Sequence, residues 1–226
     1  MKKNLILMTC LLFLLGATKA NAVYTEPQSG KVYRIHNGKN AKVIGEDGIA
    51  RELVSIDAVA NDFKQLWLLQ EKDNGYLIQN AYSGQYLQPC AQQSTQIYPT
   101  GTEKTTMYIK QVSGTAYSIG QTTGAYLHLD GSNNIVRWWD DSNAASQWHF
   151  EEVTVSEEAI ALQQAAFQEF YAEYQAKLEL IEHIDEYNSV LPTFFTDLTC
   201  TALQSTYAAM SDEELCSAMS ALPATL

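Results

Sequence analysis

Positive charge is scarce in this sequence. Lys and Arg number 14 against 26 Asp and Glu, for a net charge of −12, which excludes a nucleic-acid binder that works by releasing counterions. Cysteine is scarce too, with four residues: Cys10, Cys90, Cys200 and Cys216. Too few to build a disulfide scaffold, they leave stability to a packed core. Long apolar runs are missing after the start of the chain. The one present, Leu5 to Ala17, has 13 residues, short of the roughly 20 that span hydrocarbon. Also absent are His-Glu-x-x-His, Gly-x-Ser-x-Gly, a phosphate loop and a dinucleotide fingerprint. His36, His128, His149 and His183 are scattered, with no two at metal-ligand spacing. Cys90 follows Pro89 with no neighbour that would activate a thiol. These absences argue against an enzyme and give no sign of a metal or other cofactor.

The apolar run follows Met1-Lys2-Lys3-Asn4 and precedes Ala20-Asn21-Ala22. A basic start, a short apolar stretch and a small-x-small triplet read as a signal peptide over residues 1–22, cut after Ala22. The mature chain is then exported to the periplasm, the cell surface or the medium, with no transmembrane span. Its 204 residues carry a net −15 and three cysteines, Cys90, Cys200 and Cys216. A disulfide between the last two and a pair of free thiols are equally open.

Two regions follow, with a boundary near Val153. Residues 23–153 hold short alternating runs punctuated by Asn37-Gly38, Asp47-Gly48, Asn74-Gly75, Ser83-Gly84 and Asp130-Gly131, the pattern of strands and tight turns. Residues 154–226 contain no Gly, and Lys177 is their one basic residue among 12 acids. Ser156 suits an N-cap, with Glu157 and Glu158 in the first turn. Ile160, Phe167, Tyr171, Tyr174, Leu178 and Ile181 continue as an apolar seam. A helix is expected over 156–188 with a break at Pro192. A second is expected near 196–210, and a third opens at Ser211-Asp212-Glu213-Glu214 and ends before Pro223. A small antiparallel bundle or a spacer fits this pattern; an acidic interaction tail is the alternative.

The strand region repeats three times. Tyr33-x-Ile35 recurs as Tyr76-x-Ile78 and Tyr117-x-Ile119, in steps of 43 and 41 residues. Trp67-x-Leu69 recurs as Met107-x-Ile109 and Trp148-x-Phe150, in steps of 40 and 41. Between them, Gly84-x-Tyr86-Leu87 recurs as Gly124-x-Tyr126-Leu127, with Ala41-x-Val43-Ile44 as the degenerate first copy. Three units are too few for a propeller. Closed around a pseudo-threefold axis they form an all-β trefoil, in which the first and last strands of each unit build a barrel. Tyr33, Tyr76, Tyr117, Trp67 and Trp148 are its expected core.

Gln65-Leu66-Trp67 closes the first unit, and Ser146-Gln147-Trp148 closes the third with its Gln displaced by one. Thr105-Thr106-Met107 is an eroded second copy. Over residues 30–153 this resembles the Gln-x-Trp signature of ricin B-like lectin trefoils. The resemblance implies carbohydrate binding, often by a module attached to an enzyme. Galactose binders of that family carry an Asp after the Gly-x-Tyr-Leu element, where Gln88 and His128 stand here. Their Asn before Gln-x-Trp is replaced by Ala145. The fold carries over; the galactose site does not.

Arg137-Trp138-Trp139-Asp140-Asp141 is the candidate ligand site. Neighbours on a strand face opposite ways, so one tryptophan is expected in the core and the other exposed beside Arg137, Asp140, Asp141 and His128. An exposed indole packs on the C–H face of a sugar while polar groups take its hydroxyls. Alternatively both tryptophans are structural, one in the core and one under the helical segment. Asp130-Gly131-Ser132-Asn133-Asn134 reads as a polar turn before a calcium loop.

Phe195-Thr196-Asp197, Cys200 and the stretch 207–215 resemble a region preceding enhancin-like metallopeptidase domains in secreted proteins of gut Bacteroidetes. That resemblance implies an N-terminal targeting part. The expected function is a secreted, non-catalytic carbohydrate-binding module that brings an enzyme to glycans. The alternative is a protein-interaction or structural region of a larger secreted hydrolase.

Overall fold

Apolar residues alternating with polar ones between Gly-containing turns commit the chain to short strands. The computed structural model describes residues 22–190. The strands are β1 (Tyr24–Thr25), β2 (Val32–Asn37), β3 (Val43–Glu46), β4 (Leu53–Ile56), β5 (Leu66–Lys72), β6 (Gly75–Asn80) and β7 (Tyr86–Leu87). They continue as β8 (Thr100–Gly101), β9 (Tyr108–Ser113), β10 (Ala116–Gly120), β11 (Tyr126–Leu129), β12 (Ile135–Trp138) and β13 (Trp148–Glu152). One helix follows, α1 (Glu157–Val190).

The expected threefold plan is present. β2, β5, β6, β9, β10 and β13, the first and last strands of each unit, form the barrel, and β3–β4, β7–β8 and β11–β12 are its caps. Antiparallel ladders run β6–β5–β2–β13–β10–β9. The remaining join, β6 to β9, is a single bridge in which Tyr76 and Met107 exchange backbone hydrogen bonds of 2.8 Å. A Cβ on Gly75 would come within 2.6 Å of the Met107 carbonyl oxygen, so this close approach needs glycine.

The core repeats as the sequence does. Tyr33, Trp67, Tyr117 and Trp148 are buried in one cluster with Ile35, Ile78, Ile119, Met107 and Phe150, and Tyr76 packs against it half-buried. The Trp67 indole N–H donates to the Ile44 carbonyl at 3.0 Å, and Trp148 donates to Leu127 at 3.1 Å. Ile44 and Leu127 are themselves equivalent positions. Asn37 and Asn80, also equivalent, donate to the carbonyls of Ala145 and Lys64. Those carbonyls lie in matching 3₁₀ turns, Ala144–Ser146 and Phe63–Gln65, capped by Asn143 and Asp62. Ser146, rather than Gln147, therefore stands where Gln65 stands in the first unit. Gln65 spans the 57–59 loop, donating to Asp57 and accepting from Val59. Gln147 instead donates to the carbonyls of Asp141 and Ser142.

Cys90 is a buried free thiol, pushed up by desolvation. The Asp130 carboxylate accepts from the Ser132 and Asn134 amides at 2.7 and 2.9 Å, which closes a polar turn.

α1 begins as expected, with Ser156 Oγ accepting the Ala159 amide, and runs two residues past the expected end. Its first turns pack on the trefoil. Ile160 packs on Val32, Leu66 and Ala81. Phe167 is buried against Tyr82, with ring centroids 4.9 Å apart. Gln164 and Gln168 donate to the carbonyls of Asn80 and Ser83, and the Arg51 guanidinium lies 4.0 Å over the Tyr171 ring. The apolar seam is thus spent, in its first turns, on the first two trefoil units. The expected second and third helices, the signal peptide, Cys200 and Cys216 lie outside the described residues. Among the described residues, no helix is long and apolar enough to cross a membrane.

Candidate functional site

The site is built on the outer face of the β11–β12 cap. In this hairpin Leu127 lies opposite Arg137, and Leu129 opposite Ile135. Leu127, Leu129 and Ile135 are core residues, so this set faces inward. Tyr126 opposite Trp138, and His128 opposite Val136, make up the outward set.

β12 ends at Trp138, and Trp139 sits in the bend beyond it. This explains why the expected division into one core and one exposed tryptophan does not occur. Strand alternation stops one residue too early to send Trp139 to the opposite face. The two rings stack instead, with centroids 3.7 Å apart and planes 23° from parallel. Trp138 also stacks on His128, at 4.6 Å and 15°. The result is a three-ring pile with buried His128 at its base, half-buried Trp138 in the middle, and Trp139, 57% exposed, on top. Among the described residues, α1 packs elsewhere, on residues 48 and 80–84.

His128 Nδ1 pairs with Ser146 Oγ at 2.8 Å. Burial, helped by the Lys39 charge, lowers its pKa and favours the neutral ring that stacks on Trp138. Because the folded pKa is depressed, this group's contribution to stability is present at neutral pH and is lost as the medium turns acidic. The Ser146–His128 pair does locally what Gln65 does in the first unit: it anchors the cap to the 3₁₀ turn.

Asp140 accepts from the Ser142 amide and hydroxyl at 2.9 and 3.0 Å, and these bonds hold its carboxyl below the usual range. Asp141 lies 3.6 Å from Lys110 Nζ and 3.4 Å from Ser118 Oγ. Asp140 is held by its own loop and lies near enough to His128 for the two charges to interact, while Asp141 is held by the neighbouring barrel strands.

Arg137 is not beside the indoles. As a member of the inward set it reaches under the cap, and Nη1 donates to the carbonyls of Cys90 and Ala91 at 3.1 and 2.8 Å. It fastens the 90–91 loop of the second unit to the third. Strand alternation overrides its adjacency to Trp138 in the sequence. Among the described residues no group of three or more His, Cys, Asp or Glu side chains is placed to hold a metal.

No protein-family model matches the chain, and no curated protein matches it. Solved structures do. A ricin B-like lectin from Macrolepiota procera, solved in complex with lactose, aligns over 57% of this chain and 100% of its own, with TM-score 0.52 and 20% identity. The Rhizoctonia solani agglutinin aligns over 57% of this chain and 99% of its own, with TM-score 0.50 and 16% identity. At such identities the likeness is one of architecture, and with the barrel, caps and threefold register above it identifies the strand region as a β-trefoil.

Proposed function

We propose that this chain is a non-catalytic carbohydrate-binding module of lectin type, with the Trp138–Trp139 stack as its sugar platform. The observation that carries the reading is Trp139, a large aromatic 57% exposed and held at 3.7 Å on a partner ring. An indole fixed in this way offers a flat apolar face with little rotamer entropy left to lose on binding. Asp140, whose charge interacts with His128, and Asp141 next to it in the chain would accept hydrogen bonds from sugar hydroxyls, and His128 supports the stack from beneath. Arg137 is left out of the platform. With Gln88, His128 and Ala145 in place of the galactose-binding Asp and Asn, galactose specificity is not expected. Affinity is expected to be in the high micromolar to millimolar range, roughly −4 to −6 kcal/mol.

Residues 1–22 serve as a signal peptide, 23–153 as the binding module and 154–226 as a helical segment. Cleavage after Ala22 would start the mature chain just ahead of β1, whose Tyr24 and Thr25 pair with Glu151 and Phe150 of β13. The exported module brings an attached or associated enzyme to its glycan, with the helical segment as the connection. Nucleic acid is not expected as a partner, and the mature chain is expected to carry no transmembrane span.

A glycan microarray probed with wild type and Trp139→Ala tests the platform. Wild type is expected to bind a subset of neutral glycans, and the variant to lose at least about tenfold in affinity. Its stability should fall by less than about 1.5 kcal/mol, the worth of one aromatic pair. Full binding by the variant would move the site elsewhere.

A further inference from the structure

A second feature lies on the same outer surface. Tyr108 of β9 is opposite Gly120 of β10, Gly120 is opposite Tyr126 of β11, and Tyr126 is opposite Trp138 of β12. Directly opposed residues of antiparallel strands share a face, so these four form one row across four strands. Three strand spacings make it about 14 Å long, more than one pyranose ring. Gly120 is the gap in the row. A Cβ there would come within 3.0 Å of the Tyr126 ring and 2.6 Å of the Ala125 carbonyl, so only glycine lets Tyr126 lie this low. A groove of about 280 Å³ opens above it, between Tyr108 and Thr122–Thr123, with Ser118 and Lys110 along its length. Asp141, two residues along the chain from Trp139, bonds Ser118 and pairs with Lys110 at the edge of the groove.

We infer that groove and ring pile are one continuous site for a linear, neutral oligosaccharide of at least two sugar units. This rests on the proposed sugar platform and extends it by a subsite at Tyr108. Tyr108 is 47% exposed and offers a second ring face at the far end of the row. Ser118 and the two threonines supply hydroxyls between the rings, suited to exchanging hydrogen bonds with sugar hydroxyls. Neutrality follows from charge. Lys110, the cation lining the groove, is offset by Asp141, Arg137 is turned under the cap, and the chain carries net −12. A polyanionic glycan would meet repulsion and no unpaired cation within this groove.

The test is calorimetric titration of wild type, Trp139→Ala and Tyr108→Ala. The probes are glucose, xylose, mannose and N-acetylglucosamine, each as monosaccharide and β-linked tetrasaccharide, with polygalacturonate as the anionic control. The inference expects at least one series in which the tetrasaccharide binds wild type about tenfold or more tighter than its monosaccharide. Tyr108→Ala should remove that gain and leave the monosaccharide affinity unchanged, and circular dichroism should show the variant folded. Trp139→Ala should weaken both lengths. Equal binding of both lengths, or no effect of Tyr108→Ala on the tetrasaccharide, overturns the extended site and leaves the platform standing. Tighter binding of polygalacturonate than of any neutral probe overturns neutrality. Failure of every neutral probe to bind overturns the platform and this extension together.

Discussion

Truncating Trp148 to Ala is expected to cost about 3–5 kcal/mol of folding stability, and Trp67→Ala a similar amount. Each indole is almost fully buried at the centre of the shared core, so its removal leaves a cavity lined by rings and branched chains. Each also satisfies one carbonyl, Leu127 for Trp148 and Ile44 for Trp67. Replacement by Phe separates these two effects. It keeps most of the apolar volume but orphans the carbonyl, for an expected loss of about 1–3 kcal/mol. Urea unfolding of the four variants gives the comparison. If the two positions are equivalents under the pseudo-threefold axis, the Ala and Phe losses should rank the same way at both. A loss under about 1 kcal/mol for either Ala variant would contradict its place in the core.

Glu46 is expected to make the protein less stable as pH rises from about 4.5 to 7, by about 3 kcal/mol over that window. Its carboxyl is buried between the first and second units and accepts from the hydroxyls of Ser83 and Thr100. Desolvation pushes its pKa from 4.5 up to about 7, against the lowering effect of those two hydroxyls and of Arg51. A folded-state pKa above the unfolded one means the folded protein holds the proton more tightly. The contribution is therefore complete below pH 4.5 and is lost as pH climbs through 7. Arg51 also covers Tyr171 of α1, and Ser83 accepts from Gln168 through its carbonyl, so this carboxyl lies beneath the seat of the helix. Glu46→Gln cannot ionise and should flatten that part of the profile. His128 acts in the opposite direction, so the informative quantity is the difference between wild type and Glu46→Gln, measured by unfolding from pH 4 to 8. A constant difference across that range would show that Glu46 does not titrate as described.

The trefoil was legible because its core is periodic. Tyr33, Trp67 and their equivalents recur at 40 to 43 residues, and each occupies the same place in the barrel. The seat of α1 was not legible. A seam beginning Ile160, Phe167, Tyr171 looks the same whether it meets another helix or the trefoil, and only the half-buried loop around Tyr82 decides. At the candidate site Trp138, Trp139 and His128 are legible as residues, but their stacking is not. Whether Trp139 stacks on Trp138 or turns away depends on the single residue at which β12 stops. Arg137 follows strand alternation rather than its adjacency to Trp138, pairing opposite Leu127 and reaching the carbonyls of Cys90 and Ala91. Tyr108 and Gly120 carry no local sequence signal. They lie 30 and 18 residues before Trp138, and only the pairing register puts all three in one row.

The platform is tested most directly by the indole N–H resonances of the four tryptophans in a titration with the strongest neutral glycan found. Trp67 and Trp148 donate to carbonyls inside the core, while Trp138 and Trp139 are stacked at the surface, so the four signals form two classes with different solvent exchange. The account predicts saturable shifts of the Trp139 signal, and of Trp138 through the stack, with Trp67 and Trp148 unmoved. Saturable glycan binding that leaves the Trp138 and Trp139 signals in place would contradict it.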